Sequence, residues 1–516
     1  MTATLGQSLD AEIIELSTVP DAFADGQPGE GSSGFLSAGR LLRTLLVCID
    51  LASAMLAWTL AFALGPVTYL HGSAGLIRPG LVVVGLVLCA ALFAASQKLY
   101  LARVCAIRSF EAARVVRVAL MTGLAALAIP RLVGLDLGLR PVGFGVAVMI
   151  LADTTGRGIY ARWLRSSRMK GRFARSVILV GDNEEARDLL RLTREHPENG
   201  LRMVGVVGRP GTTGSSELAL PWLGTIDDLP GSAHAAGGAI IAASALAPAD
   251  LNRVVRCLLH ADVHVHMSSV LAGMSIRRMR PLPIAGEPLF YIEKPRHSQT
   301  QRLVKRALDV VLSSVLLVLA LPIVAVAALA IKLGDRRAPV IYRQQRVGRD
   351  GCSFTLYKLR TMRADAAAHL DELRDLNQRT GPLFKLAADP RVTGIGRLLR
   401  QTSLDEFPQL INVLKGDMSL VGPRPALPHE VAEFDAILLA RHQIAPGLTG
   451  LWQVEARDNP SFYTYRRLDL FYLENWSVLL DLTIIGSTVM VVMGRLIKAR
   501  IWRNRQGNRV VGTALD

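Results

Sequence analysis

The stretch VVLSSVLLVLALPIVAVAALAI, residues 310–331, decides how this chain is built. It carries no charged side chain, and about 20 apolar residues are enough for a helix to cross a bilayer. Lysines and arginines lie close to both of its ends, and the positive-inside rule therefore predicts both ends on the cytoplasmic face. Because Pro322 removes a helix hydrogen bond within the run, we favour a segment that enters the membrane, turns and returns. An ordinary kinked span is the alternative, since prolines also occur in helices that cross membranes.

Four more apolar runs precede this one, and each approaches the length of a membrane span. They lie at residues 44–64, 79–97, 115–135 and 139–157. Basic residues collect before the first run, between the second and third, and after the fourth, which places those segments on the cytoplasmic side. We therefore predict four N-terminal transmembrane helices within residues 39–165. Asp50 and Asp153 are close to the cytoplasmic ends of their runs and are interpreted as interfacial residues.

The composition is that of a membrane protein that meets anionic ligands. Half of the 516 residues are hydrophobic and the formal net charge is +16, whereas an average soluble domain is less apolar and less basic. The basic residues cluster beside apolar runs, which fits lipid headgroups and phosphates better than nucleic acid. Residues 1–38, rich in Gly, Ser and acidic residues, are predicted to be a disordered tail. The scattered cysteines include no CxxC pair and predict neither a disulfide framework nor a zinc site.

Residues 172–292 alternate short apolar strands with helical patterns. The strand candidates are residues 176–180, 202–207, 239–242 and 263–267, and a helical pattern covers residues 248–260. This alternation predicts a parallel, Rossmann-like α/β domain. A dinucleotide site would need GxGxxG at its first turn, but Gly181 is followed by Asp182 and Glu184, whose charges repel phosphate. A structural or regulatory role is therefore expected for this domain.

The stretch LLRQTSLDEFPQLINVLKGDMSLVGPRP, residues 398–425, carries the chemistry. Asp405 and Glu406 are adjacent carboxylates at a helix start, and Arg400 and Arg424 flank them. The tetrapeptide SLDE also satisfies the capping-box pattern, so a purely structural role for Glu406 stays open. The helix dipole is expected to lower the pKa of Asp405 and to favour bound phosphate. An ionised Asp405 can attack phosphorus, while Glu406 helps to hold Mg²⁺, which takes one or two carboxylates plus substrate phosphates.

Residues 302–495 resemble the catalytic domain of bacterial sugar transferases that are polyprenyl-phosphate hexose-1-phosphate transferases. The segments that carry the resemblance are KRALDVVLS, PVIYRQQRVGRDG, YKLRTM, DPRVTGIGRLLRQTSLDEFPQLINVLKGDMSLVGPRP, APGLTGLWQV and RLDLFYLENWSVLLDLTII. The membrane helices and the α/β domain before them resemble the long-form members of the family. The resemblance implies an α+β monotopic catalytic domain at residues 302–516, with a re-entrant membrane helix near residues 306–332.

The resemblance also implies a reaction. A hexose-1-phosphate passes from a UDP-sugar to undecaprenyl phosphate with release of UMP, as the first membrane step of exopolysaccharide, capsule or O-antigen synthesis. It makes Asp405 the nucleophile of a covalent phosphosugar intermediate, with Glu406 and Mg²⁺ beside it. The substrate-binding residues that it implies are Lys358, Arg360, Arg400, Arg424, Arg457 and Asp469. Ala456 stands where the family usually has a glycine before the arginine, so the local turn is expected to differ.

The expected partners are a UDP-hexose, undecaprenyl phosphate and the bilayer of the bacterial inner membrane, with the catalytic domain on its cytoplasmic face. No nucleic acid is expected, and a homodimer is left open. Two other functions are weighed against this one. A non-catalytic membrane scaffold or nucleotide sensor would leave the acidic pair as a helix cap. A UDP-sugar epimerase or dehydratase would need the dinucleotide fingerprint that the sequence around Gly181 lacks.

Overall fold

The computed structural model divides the chain into two compact units, residues 1–106 with 126–270 and residues 107–125 with 271–516. It describes residues 30–65, 67–69, 77–100, 107–170, 172–208, 220–229, 237–261, 263–271, 274, 278–282, 290–293, 299–366, 368–369, 371–386 and 389–494. Most of the predicted tail lies outside these ranges. The last residues assigned to it are helical, however, because helix α1 already begins at Glu30. Once the apolar run has formed a helix, extending that helix by further residues costs little.

The N-terminal part of the chain is built from long apolar helices. Its elements are α1 (Glu30–Leu64), β1 (Val67–Tyr69), α2 (Ile77–Ser96), α3 (Arg108–Leu132), β2 (Leu135–Leu137) and α4 (Leu139–Met169), with β1 antiparallel to β2. The segments long and apolar enough to cross a membrane here are Arg40–Leu64, Pro79–Ser96, Arg108–Leu132 and Leu139–Met169. Each of them overlaps one of the four predicted runs. The prediction of a membrane protein is confirmed at this coarse level.

An ion pair and a small apolar cluster join α1 to α4. Arg157 donates from Nε and Nη2 to the two carboxylate oxygens of Asp50, at 2.9 and 2.6 Å. Leu42 and Leu46 of α1 pack with Tyr160 and Leu164 of α4 in the same region. Asp50 and Asp153 are both buried. The packing of α1 against α4 encloses both acids, and their interfacial location stays a prediction.

A five-stranded parallel sheet follows in the same unit. Its elements are β3 (Arg175–Val180), α5 (Glu184–Glu195), β4 (Leu201–Val207), β5 (Trp222–Gly224), β6 (Ala239–Ile241), α6 (Pro248–His260) and β7 (Val265–Met267), with strand order β5-β4-β3-β6-β7. Alternate residues of β3 point to opposite faces. Ile178 packs with the residues of α6 on one face, and Leu179 packs with those of α5 on the other. Strands therefore lie at all four predicted positions, and β5 is an additional strand.

The second unit combines short strands with helices. Its elements are β8 (Met279–Pro281), β9 (Phe290–Ile292), α7 (Gln299–Gly334), β10 (Ile341–Val347), β11 (Ser353–Leu359), α8 (Gly394–Thr402), α9 (Gln409–Lys415), β12 (Ser419–Val421), α10 (Pro428–Ala432), α11 (Ala436–Leu439), β13 (Gly447–Thr449), α12 (Leu451–Glu455), α13 (Phe462–Asn475) and α14 (Val478–Gly494). The strands pair two by two, β8 with β9 and β10 with β11 antiparallel, and β12 with β13 parallel. The 107–125 segment of α3 belongs to this unit as well.

Helix α7 contains the uncharged apolar run at residues 310–331. It is continuous from Gln299 to Gly334 with Pro322 inside it, and it is long and apolar enough to cross a membrane. Near its start, Arg306 donates to the main-chain oxygens of Val413 and Leu414, at 2.6 and 2.7 Å. Near its end, Ile331 packs with Leu359 and Leu399. Both ends of α7 therefore contact other elements of the same compact unit.

Candidate active site

The acidic pair lies in a short 3-10 turn, Leu404–Glu406, between α8 and α9. Ser403 ends α8 with φ 58°, a left-handed conformation that reverses the chain just before the pair. The Ser403 side chain makes no capping hydrogen bond, and Glu406 Oε1 instead accepts a hydrogen bond from Lys358 Nζ at 3.0 Å. The capping box that the sequence allowed is therefore absent. The left-handed Ser403 turns its side chain away from the amides that it would cap, and Lys358 draws Glu406 toward β11.

Close packing holds α8 and α9 against the hairpin that carries Lys358. A Cβ atom on Gly396 of α8 would lie 2.0 Å from the main-chain oxygen of Thr361, so only glycine allows this approach. On α9, the buried Asn412 side chain accepts from the Tyr357 amide at 3.2 Å and donates to the Thr355 oxygen at 2.8 Å. The hydrogen bonds of Asn412 align β11 with the helix that follows the acidic pair. Sequence analysis missed Asn412, and its only signal is a polar residue within the apolar face LINVL.

The two carboxyl groups have opposite pKa shifts. Burial and the charge of Glu406 raise the pKa of Asp405 to about 6, although Lys358 and Arg400 act to lower it. Burial acts to raise the pKa of Glu406 as well, but Lys358, Arg457 and Arg424 together hold that pKa below its ordinary value. The expected lowering of the Asp405 pKa is therefore wrong. The side chain of Asp405 is only 8% exposed and lies beside a like charge, and these two effects outweigh any helix dipole.

The charges of Arg400 and Arg424 both act on the acidic pair. Arg400 donates from Nε to Thr361 Oγ1 at 2.9 Å, and its charge acts on Asp405. Arg424 Nη1 donates to both carboxylate oxygens of Glu430, at 3.0 and 3.1 Å, and its charge acts on Glu406. Glu430 is 1% exposed, and sequence analysis missed it. The buried Glu430 carboxylate therefore holds Arg424 through Nη1.

Two buried arginines hold the backbone around Arg424. Arg346 Nη1 donates to the Pro425 oxygen at 2.8 Å, and Arg441 Nη2 donates to the Arg424 oxygen at 2.5 Å. Arg441 also pairs with Asp469 at 2.8 Å. Asp469 is 2% exposed, and burial raises its pKa to about 6 against the lowering effect of Arg441 and Arg424. Asp469 thus lies behind Arg424 and supports its backbone, and substrate contact by Asp469 stays a prediction.

Arg457 lies in a loop just after α12. Its charge acts on Glu406, and its main-chain oxygen accepts hydrogen bonds from Arg379 Nη2 and, at 3.2 Å, from Lys385 Nζ. The preceding residue, Ala456, has φ −143°, which any residue with a side chain can adopt. The turn in this chain therefore needs no glycine, and its expected difference from the family's turn stays a prediction.

Arg360 pairs with Asp335, at the end of α7. Its Nη1 donates to Asp335 Oδ2 at 2.8 Å, and its Nη2 donates to the Asp335 main-chain oxygen at 3.3 Å. Asp335 directly follows α7, so this pair joins the end of the long helix to the end of β11. A substrate-binding role for Arg360 stays a prediction.

The acidic pair suits a magnesium ion that is shared with substrate. Within the described residues, no group of three or more His, Cys, Asp or Glu side chains could hold a metal ion. Mg²⁺ is commonly held by one or two carboxylates, with substrate phosphates and waters completing its shell. The negative charge of Glu406 repels that of Asp405 and raises the Asp405 pKa. A bound cation would neutralise this excess negative charge. Asp405 and Glu406 therefore fit such an ion.

Comparisons with known proteins agree on the C-terminal part of the chain. The family model described as bacterial sugar transferase matches residues 300–495. An uncharacterized sugar transferase of Haemophilus influenzae is 32% identical over 341 residues, which are 63% of this chain and 70% of that protein. The UDP-glucose:undecaprenyl-phosphate glucose-1-phosphate transferase of Escherichia coli is 33% identical over 64% of this chain and 70% of its own length. The undecaprenyl-phosphate galactose phosphotransferase of Salmonella typhimurium is 40% identical over 219 residues, 40% of this chain and 44% of that protein.

Proposed function

Because this chain belongs to the bacterial sugar transferase family, we propose that it transfers a hexose-1-phosphate from a UDP-hexose to undecaprenyl phosphate and releases UMP. The observation that carries the proposal is the buried Asp405 beside Glu406, with the charges of Lys358, Arg400, Arg424 and Arg457 acting on the two carboxylates. Such an array matches a diphosphate substrate, because cations on several sides can neutralise charge that develops on the phosphoryl oxygens.

The reaction proceeds in two displacements at one phosphorus atom. In the first, a carboxylate oxygen of Asp405 attacks the phosphorus that bears the sugar, and the bond from that phosphorus to the bridging oxygen breaks. UMP leaves with the bridging oxygen, and the sugar phosphate stays on Asp405 as an acyl phosphate. In the second, a phosphate oxygen of undecaprenyl phosphate attacks the same phosphorus and the bond to Asp405 breaks. The carboxylate is regenerated, the product is a lipid diphosphosugar, and no net proton transfer is needed.

The surrounding side chains have separate roles in this scheme. Lys358 keeps Glu406 ionised through its 3.0 Å hydrogen bond. Arg424 and Arg457 bind phosphate oxygens on the Glu406 side, and Arg400 does so beside Asp405. A bound Mg²⁺, held by Asp405 and Glu406, supplies further neutralisation of phosphate charge.

The site works at the depth of the lipid headgroups on the cytoplasmic face, where a soluble nucleotide sugar and a lipid phosphate can both reach Asp405. The contacts of α7 support this placement. In a straight helix, residues 306 and 331 would lie roughly 37 Å apart at 1.5 Å per residue. Residue 306 contacts the end of α9, and residue 331 contacts β11 and α8 of the same domain. Pro322 lies inside the helix, where a re-entrant helix would bend.

Release of UMP from a panel of UDP-sugars tests the function. Purified full-length protein is given Mg²⁺, undecaprenyl phosphate and, in turn, UDP-glucose, UDP-galactose and other UDP-sugars. We expect release that depends on lipid and metal with a UDP-hexose, and loss of about 10³-fold or more in Asp405→Asn, since the nucleophile is removed. Asp350→Asn is the matched control, because Asp350 is exposed and its φ of 55° suits asparagine.

The covalent intermediate is tested without the acceptor lipid. Wild-type protein incubated with a UDP-hexose radiolabelled in the sugar should retain label after denaturation, and Asp405→Asn should retain none. A folded wild type that releases no UMP from any UDP-sugar would contradict the proposed function. Full activity in Asp405→Asn would instead show that Asp405 is not the nucleophile.

A further inference from the structure

The start of membrane helix α3 makes a buried contact with the loop that carries Arg457. Glu455 Oε1 accepts hydrogen bonds from the Ser109 amide at 2.7 Å and from Ser109 Oγ at 2.6 Å. The two residues are 346 positions apart in the chain and belong to the same compact unit. Ser109 is 3% exposed, so the contact is shielded from water. Neither residue has a part in the scheme proposed for catalysis.

The contact has the chemistry of a helix cap. The first amides of a helix lack partners within the helix, and the positive end of its dipole favours a carboxylate. A nearby side chain usually supplies this acceptor, but here the catalytic domain supplies it through Glu455. Hydrogen bonds to an ionised carboxylate are shorter and stronger than those between neutral groups. The cap therefore ties Glu455 firmly to the helix.

Two further contacts fix the start of α3. Thr483 Oγ1 of α14 donates to the Ser109 main-chain oxygen at 3.2 Å. The ring of Phe110 meets that of Phe471, on α13, edge to face with 5.2 Å between ring centroids. The first turn of α3 thus contacts α12, α13 and α14. It is an integral part of the catalytic unit as well as the beginning of a candidate membrane span.

Glu455 is only two residues before Arg457, and the loop between them is held on its other side too. Arg379 donates to the main-chain oxygens of Arg457 and, at 2.6 Å, Asn459. The loop is therefore fastened to α3 at Glu455 and to Arg379 at its far end. Because the charge of Arg457 acts on Glu406, the position of this loop contributes to the electrostatic potential at the acidic pair.

We infer that Ser109 and Glu455 are positioning residues that hold Arg457 in place, so that membrane helix α3 completes the active site. The inference rests on the proposed function, in which Arg457 binds a phosphate of the substrate. Small misplacements of a charged group that contacts substrate can lower rates strongly. The N-terminal membrane part thereby contributes to turnover in addition to attaching the enzyme to the bilayer.

Variants of the full-length protein test the inference by UMP release. We expect Glu455→Ala to lower kcat/KM about tenfold and Ser109→Ala to lower it a few-fold, as for a displaced substrate-binding group. Glu455→Gln keeps an acceptor oxygen and should recover most of the activity. Ser96→Ala is the matched control, because the Ser96 hydroxyl donates to the Phe93 oxygen of its own helix. Wild-type activity in both Glu455→Ala and Ser109→Ala would overturn the inference.

A double-mutant comparison separates positioning from general damage. In an Arg457→Ala background, Glu455→Ala and Ser109→Ala should cause no further loss, since their effect passes through Arg457. Losses that simply add to that of Arg457→Ala would overturn the inference.

A measurement independent of activity keeps the inference distinct from the proposed function. Hydrogen exchange of the amides at residues 451–459 should be faster in Glu455→Ala and in Ser109→Ala than in wild type or Ser96→Ala. Equal exchange rates in these variants and in wild type would show that the contact with α3 does not stabilise the loop. Absence of UMP release by wild type would instead contradict the proposed function, while the exchange data would still decide whether the tie exists.

Discussion

Asp405 combines two properties that a nucleophile at phosphorus needs, a fixed position and a charge that its surroundings do not fully neutralise. Its burial and the neighbouring Glu406 raise its pKa to about 6, while Lys358 and Arg400 limit that rise. Glu406, bonded to Lys358, has a lowered pKa instead. The pKa values of the two adjacent carboxyl groups therefore shift in opposite directions because their surroundings differ. Glu406 carries a lasting negative charge, and Asp405 titrates near neutral pH.

The raised pKa of Asp405 predicts how the first displacement depends on pH. The reacting form is the carboxylate, so at limiting Mg²⁺ the rate of the first burst of UMP should rise with pH through a midpoint near 6. Saturating Mg²⁺ should move this midpoint to lower pH, because a bound cation favours the ionised carboxyl. Arg400→Gln removes a charge that lowers this pKa, so the midpoint should move to higher pH. Rapid-quench measurement of UMP between about pH 4.5 and 8 checks both statements. A burst rate that is flat down to pH 5 would show that the carboxyl titrates at its ordinary value.

At the scale of single residues, adjacency in the sequence allowed four charged residues of the candidate site to be grouped before the fold was known. Asp405, Glu406, Arg400 and Arg424 fall within one quoted stretch, and the structure gathers their charges at one site. Glu430 was missed although it is only six positions from Arg424, because a glutamate on a short helix gives no signal until folding buries it.

At the scale of elements, the pairing of α1 with α4 depends on a buried ion pair. Arg157 makes two hydrogen bonds with Asp50 inside the first unit, and Asp153 is buried one helical turn before Arg157. Ionisable residues within membrane segments are costly and are usually paired, as Arg157 and Asp50 are. Local periodicity predicted both helices well. It did not predict that α1 and α4 pack against each other, because the apolar faces of all four helices have similar sequences.

The ion pair predicts that removing one partner destabilises the protein more than removing both. Arg157→Leu leaves Asp50 buried without its partner, and the loss should be about 3–5 kcal/mol of stability. Replacing both residues by leucine removes the unpaired charge and should recover much of that loss. The thermal unfolding midpoint of detergent-purified protein measures both, with Arg162→Leu, an exposed position on the same helix, as control. A double variant no more stable than Arg157→Leu would contradict the argument.

At the scale of the whole molecule, the course of α7 decides on which side of the membrane the active site lies. A re-entrant helix keeps both of its ends on the cytoplasmic face, and a simple span would put them on opposite faces. The basic residues at both ends favour the first arrangement. The contacts of Arg306 and Ile331 with one domain favour it as well.

Cysteine labelling distinguishes the two courses of α7. Two proteins with a single cysteine each are compared. One keeps Cys352, which is exposed and follows α7, and the other carries Thr300→Cys at the start of α7. We expect neither to react with a membrane-impermeant maleimide in intact spheroplasts, and both to react after permeabilisation. Leu139→Cys, at the predicted outer end of α4, should react in both conditions and serves as control. Labelling of only one α7 position in intact spheroplasts would indicate a simple span.

The sequence by itself determined where the membrane helices and most strands lie, the acidic pair, and the family resemblance. These features depend on hydropathy, on side-chain periodicity and on residues close together in the chain. Only the tertiary structure decided that Lys358 meets Glu406, that Glu430 holds Arg424, and that Glu455 caps a helix 346 positions away. It also decided that the pKa of Asp405 is raised. The physical reason is that burial and charge pairing depend on which distant segments pack together, and no local pattern specifies that choice.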